Sequence, residues 1–201
     1  DAVKYMLEGI NQTCKFVQIS TDYVFDGLNG PYDDDAPVNP LSWYGATKRM
    51  AEEAVLSSCS NGIVVRTMVL VGQIRGLKTD FIHFVKNSLQ NNKAIKIVTD
   101  QVGNITLASN LAKNIIAAID ADVKGIVSLA GSERISRFDF AVQIAKRYNL
   151  NTSLISPIIT EELKQPAKRP LSSGFTHKKA ILITGIKLLS IDQMMAEYDN
   201  E

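Results

Sequence analysis

Apolar positions along this chain recur in two rhythms. Short continuous runs, bounded by Gly, Asp, Asn or Pro, read as buried strands at residues 15–19, 62–67, 95–98 and 125–130. Elsewhere apolar residues return every three or four positions, the spacing of a helix that buries one face. Helices are therefore predicted at residues 1–12, 42–58, 80–90, 109–119 and 136–148. Val3, Met6, Leu7 and Ile10 share the helical spacing in the first, and Leu111, Ile115, Ile116 and Ile119 face one way in the fourth. Asp80 and Ser136 occupy N-cap positions, and Asp139 follows three residues after the latter. Helix and strand alternate, so the expected class is α/β, with the later units of a doubly wound parallel sheet. Beyond Asn149 the pattern weakens. Pro157, Pro166 and Pro170 divide residues 150–173 into short pieces, as a smaller lobe requires.

Composition narrows the function classes. The 201 residues are 45% hydrophobic and 21% charged, with a formal net charge of +1, values of an ordinary globular protein with a core of its own. No basic footprint for nucleic acid and no polybasic anchor is present, and no apolar run is long enough to span a bilayer. Cys14 and Cys59 are too few for a disulfide framework and read as small buried or half-buried hydrophobes in a reducing compartment, so the cytoplasm is the expected location. His83 and His177 have no Cys, Asp or Glu at metal-ligand spacing, and no metal is expected. The run Asp33-Asp34-Asp35 lies in a Gly/Pro-rich loop and reads as solvated.

Candidate chemistry is concentrated in residues 20–48. Ser20-Thr21-Asp22-Tyr23-Val24-Phe25 closes the strand at 15–19, and Trp43-Tyr44-Gly45-Ala46-Thr47-Lys48 opens the helix at 42–58. A Tyr four residues before a Lys is weak evidence alone, since roughly 0.4 such pairs arise by chance from this composition. Context strengthens it. Thr21 falls just past the carboxyl end of a strand, where open α/β sheets bind ligands, and Tyr44 and Lys48 lie on one face of a helix. The three supply a hydroxyl, a phenol and an ammonium, groups able to move a proton to a substrate oxygen. Arg66, at the end of the strand at 62–67, reads as a neutraliser of strand ends. Arg169 has its backbone fixed by Pro170, and its guanidinium suits bidentate phosphate binding.

These motifs resemble the dTDP-4-dehydrorhamnose reductase family of the extended short-chain dehydrogenase/reductase superfamily. Thr21-Asp22-Tyr23-Val24-Phe25, Tyr44-Gly45-Ala46-Thr47-Lys48 and Glu52 match it, as do Asp100-Gln101-x-Gly103-x-x-Thr106 and Lys168-Arg169-Pro170 followed by Ser172 or Ser173. The order is the family's, across residues 1–185. Ile105 stands where the family usually has Pro. In Arg66-Thr67-Met68-Val69-Leu70-Val71-Gly72, the aromatics of the family's Arg-Thr-x-Trp-x-Tyr-Gly are aliphatic. The resemblance implies a Rossmann-like domain with interleaved substrate-lobe segments over residues 1–149, and mainly a small substrate-binding lobe and C-terminal helix over 150–201. It implies reduction of a ketone on a nucleotide-linked sugar by NADPH or NADH. Thr21, Tyr44 and Lys48 would be catalytic. Ser20, Tyr44, Lys48 and Thr67 would touch the cofactor, and Asp22, Tyr23, Gln101 and Arg169 the sugar nucleotide. Thr21 would donate to the carbonyl oxygen, and Lys48 would favour the Tyr44 phenolate and hold the nicotinamide ribose. A homodimer through helices 1–12 and 42–58 is a further implication.

No Gly-rich phosphate loop and no ribose-gripping acid occurs near the start, so about half of a doubly wound nucleotide-binding unit is expected to lie outside this sequence. Residues 1–201 alone are expected to fold poorly and to bind no dinucleotide. Two other readings remain open. Tyr23 replaces the Glu with which related dehydratases remove water, so dehydration is disfavoured while 4-epimerisation is not. A non-catalytic regulatory subunit of the same fold, like the relative that regulates methionine adenosyltransferase, is the other.

Overall fold

In the computed structural model, which describes residues 2–11, 13–73 and 80–201, the chain begins with α1 (Ala2–Gly9), β1 (Phe16–Thr21) and a 3-10 turn at Asp22–Val24. It continues through α2 (Trp43–Ser58), β2 (Gly62–Thr67), β3 (Leu70–Val71), α3 (Phe81–Gln90), β4 (Ile95–Val98), β5 (Val102–Asn104), β6 (Thr106–Leu107) and α4 (Ala108–Asp120). Last come β7 (Gly125–Ser128), β8 (Arg134–Ser136), α5 (Arg137–Arg147), β9 (Ile155–Ile158) and α6 (Ile191–Tyr198). The ends of the predicted first helix, Asp1 and Gln12, lie outside the described residues.

A parallel sheet in the order β1-β2-β7 is the frame, with Thr21 opposite Thr67 and Ile63 opposite Gly125. Its central strand shows why the apolar run is continuous. Val64 packs with Leu7, Ala54 and Val55 from α1 and α2 on one face, and Ile63 and Val65 pack with Leu111 and Ala118 from α4 on the other. Each such fully buried side chain contributes about 1.5–3 kcal/mol. A second core gathers Ile82, Val85 and Leu89 of α3, Ile95 and Ile97 of β4, Phe140 and Ile144 of α5, and Met194 of α6, with β9 pairing parallel to β4. The α/β class follows, and among the described residues no helix is long and apolar enough to cross a membrane.

Both predicted caps form: the Asp80 carboxylate accepts the His83 N–H at 2.8 Å, and the Ser136 hydroxyl accepts that of Asp139 at 2.9 Å. Several expectations are corrected. Ile116 is 57% exposed, because α4 turns it about 100° away from Ile115, and only Leu111, Ile115 and Ile119 keep to the core side. Met6 is likewise on the outer face of α1. Cys14 is exposed in the connection ahead of β1. The acidic run is not simply solvated: Asp33 pairs with Lys178 at 2.7 Å and accepts the Thr176 hydroxyl, and the Asp34 carbonyl accepts from Arg66 at 3.0 Å. β3, β5, β6, β8 and β9 have no counterpart in the sequence reading. They are two to four residues long, too short to show a period, and β9 carries Pro157 on a two-stranded edge where proline is tolerated.

Candidate active site

Tyr44 sits in the first turn of α2, capped by Ser42, whose hydroxyl accepts the Gly45 N–H at 3.2 Å. Gly45 is required by a close approach: a Cβ there would come 2.1 Å from the Tyr23 carbonyl oxygen. That approach sets the Tyr44 ring edge-on to Tyr23, with centroids 5.5 Å apart at 83°. One turn later the Lys48 ammonium donates to the Ile19 carbonyl at 3.0 Å, fastening α2 to the end of β1 with one of its three N–H groups.

Behind this surface lies a buried ionic lock. Glu52 accepts from the Ser20 hydroxyl at 2.5 Å and from Arg66 at 3.0 Å (Nε) and 2.7 Å (Nη2), and the Arg66 guanidinium lies 5.0 Å from the Phe25 ring centroid. Both charged groups are only 3% exposed. The lock fixes the last turn of β1 and hence Thr21. Thr21 caps the 3-10 turn, its hydroxyl accepting the Tyr23 N–H and donating to the Asp22 carboxylate, each at 3.2 Å.

Thr21, Asp22, Tyr23, Tyr44 and Gln101 line one cavity of about 290 Å³ at the carboxyl end of β1. A second, of about 480 Å³, is walled by Phe81, Phe84, Ile97, Val98 and Arg169. Val69, Gln101 and Arg137 line both, so the two meet at these residues. The Asp100-Gln101 segment is pinned by Thr160: its hydroxyl donates to Asp100 at 2.7 Å and accepts from the Gln101 amide at 3.0 Å. Ser20 and Thr67 are buried behind the first cavity and are not among its lining residues; the Ser20 hydroxyl is engaged by Glu52.

The model of the RmlD substrate binding domain matches residues 8–200. The chain belongs to this family. It is 30% identical to the spore coat polysaccharide biosynthesis protein SpsK of Bacillus subtilis over 97% of this chain and 67% of that protein. Identity to the methionine adenosyltransferase 2 subunit beta of Bos taurus is 32%, over 77% of this chain and 48% of that one. The crystal structure of dTDP-4-dehydrorhamnose reductase from Bacillus anthracis in complex with NADP superposes with a TM-score of 0.85 at 28% identity, covering 93% of this chain and 66% of that one. The chain thus spans about half to two thirds of the length of these relatives.

Two features of this family member's cavities escape a reading by motif. Arg137 is the first residue of α5, makes no ion pair among the described residues, and packs 5.4 Å from the Phe81 ring centroid. Burial lowers its pKa, and the nearby Tyr23 and Asp22 oppose that shift. A cation in the first turn of a helix opposes the helix dipole, and that local conflict is the signal by which the sequence marks Arg137 out. Val69 has φ of 46°, a strained conformation for a β-branched residue, of the kind held at binding sites. Of the two positions where the resembled motif carries aromatics, Val69 faces the cavities and Val71 belongs to the core.

Asp22 is 4% exposed, and desolvation raises its pKa from 3.8 to about 6, against the pull of the Ser173 and Thr21 hydroxyls and of Arg137. A raised carboxyl pKa means that the folded protein holds the proton more tightly than the unfolded chain. The destabilisation is absent below the unfolded value, grows as pH rises towards about 6, and then levels at about 3 kcal/mol. Asp22→Asn is expected to abolish that slope and to gain stability over wild type from acidic to neutral pH. Denaturant midpoints measured across that range check it; a wild-type-to-variant difference that is constant with pH contradicts it.

Proposed function

We propose that this chain forms the catalytic and sugar-binding part of an NADPH- or NADH-dependent reductase of 4-keto sugar nucleotides, of the dTDP-4-dehydrorhamnose reductase kind. The observation that carries the reading is the meeting of Thr21 and Tyr44 on one cavity, with Lys48 fixed one turn beyond Tyr44. Tyr44 is 51% exposed, and the Lys48 ammonium has spare donors, a set that fits the ribose hydroxyls of a nicotinamide nucleotide. When bound, the reduced cofactor supplies the hydride. Thr21 turns its hydroxyl from Asp22 towards the ketone oxygen and stabilises the charge that develops there. Tyr44 delivers the proton to that oxygen, completing the alcohol.

The second cavity favours a nucleotide-linked sugar over a free one. Phe81, Phe84, Ile97 and Val98 offer an apolar wall for a base; Arg137 lines both cavities and Arg169 the second, in reach of Tyr23, so a diphosphate joining base and sugar would meet both guanidinium groups. Arg137→Gln is accordingly expected to raise KM for the sugar nucleotide about 10- to 100-fold with little change in kcat. Steady-state kinetics check this, and an unchanged KM removes Arg137 from the diphosphate.

An assay of reduced-cofactor oxidation by the whole protein, with a dTDP-4-keto-6-deoxy sugar, tests the reading. The kinship with the methionine adenosyltransferase subunit keeps a regulatory role as the second reading, and no turnover together with capture of a partner enzyme would favour it.

A further inference from the structure

Strand register brings one hydroxyl from beyond β9 to a residue at which the two cavities meet. β4 and β9 pair in parallel with Val98 opposite Ile158, and the Thr99 N–H extends the pairing onto the Ile158 carbonyl at 2.9 Å. Asp100 and Thr160 therefore come side by side. Both Asp100 carboxylate oxygens accept the Thr160 N–H at 3.0 Å, and one of them also accepts the Thr160 hydroxyl at 2.7 Å. A hydroxyl has a single proton to give. With that proton held by Asp100, the Thr160 oxygen can only accept, and it accepts the Gln101 amide nitrogen at 3.0 Å. The Gln101 main chain is fixed separately, its carbonyl accepting the Arg137 N–H at 3.0 Å.

The two ends of a side-chain amide are alike in shape and opposite in chemistry, so a glutamine without restraint can present either one to a ligand. Gln101 is restrained. Its nitrogen is taken by Thr160, and no described residue donates to its side-chain carbonyl oxygen, although Gln101 lines both cavities. We infer that Thr160 is a positioning residue: it sets the sense of the Gln101 amide, and so presents an acceptor to the ligand at the meeting of the two cavities. The ligand group this suits is a hydroxyl or an N–H. The inference rests on the sugar-nucleotide reading and makes a donor at that point a condition of tight binding. An ether or ketone oxygen there would face a second acceptor, and sites built to pair a donor reject such analogues.

Two variants of the whole protein test this. Thr160→Val keeps the shape and the main-chain N–H that holds Asp100 and removes the hydroxyl alone, and Thr160→Ser restores it. KM for a dTDP-4-keto-6-deoxy sugar is expected to rise about 3- to 30-fold in Thr160→Val with kcat little changed, and to stay near wild type in Thr160→Ser. In a Gln101→Ala background the Thr160→Val step should add nothing to KM, an outcome that a merely structural Thr160 would not produce. Nuclear magnetic resonance gives a readout independent of turnover, with Gln101→Ala assigning the signal. One Gln101 amide hydrogen should be protected from solvent exchange in wild type and Thr160→Ser and lose that protection in Thr160→Val. An unchanged KM in Thr160→Val, a KM effect that persists in Gln101→Ala, or equal amide exchange in wild type and Thr160→Val overturns the positioning role and leaves the reductase reading standing. Absence of turnover overturns that reading, and the amide signal still decides the role of Thr160.

Discussion

Tyr44→Phe is expected to lower kcat by about 10²- to 10⁴-fold, the contribution of a positioned proton donor. The substitution keeps the ring, its edge-on packing against Tyr23 and the cap from Ser42, so the fold and the binding of cofactor and sugar should survive. What disappears is the one phenol on the cavity beside Thr21 whose helix also carries Lys48. Because the lost interaction exists in the transition state alone, kcat and kcat/KM should drop together. Steady-state turnover of a 4-keto sugar nucleotide measures it, and a rate near wild type would remove Tyr44 from proton transfer.

The largest effect on stability is expected at Glu52. Its carboxylate holds Ser20 and both the Nε and Nη2 of Arg66 in a site excluded from water. Glu52→Ala leaves the Arg66 guanidinium buried with the Asp34 carbonyl and the Phe25 ring for company. Breaking a buried pair in this way costs about 3–5 kcal/mol, a large part of the 5–15 kcal/mol that typically holds a domain together. Glu52→Gln keeps the shape and two acceptor lone pairs and should fall between the variant and wild type. Denaturant unfolding checks the order; a loss below about 1 kcal/mol for Glu52→Ala would mean that the pair is no lock.

Legibility in the sequence followed the range of the interaction. The Tyr44–Lys48 spacing, the caps at Asp80 and Ser136 and the strand Gly62–Thr67 depend on neighbours within a turn or a few residues, and each could be read directly. Glu52 and Arg66 are 14 residues apart on a helix and a strand, so their pairing appears only once α2 lies on β2. Ser173 reaches the cavity of Asp22 through the return of the chain beside β5, which no periodicity announces. Periodicity also misled where it was loosest: Ile116 satisfies an apolar count yet points outward, and the left-handed turn at Val69 has no local cue because a β-branched residue resists it.

The central claim is that Tyr44 and Thr21 serve a net hydride transfer to a sugar ketone. It is tested most directly by supplying the whole protein with reduced nicotinamide carrying deuterium at the transferable position and a dTDP-4-keto-6-deoxy sugar. The expected product is the 4-hydroxy sugar with deuterium on C4, formed with one equivalent of cofactor oxidised. Recovery of an epimerised sugar with no net oxidation of cofactor, or of unchanged ketone beside intact cofactor, would contradict it.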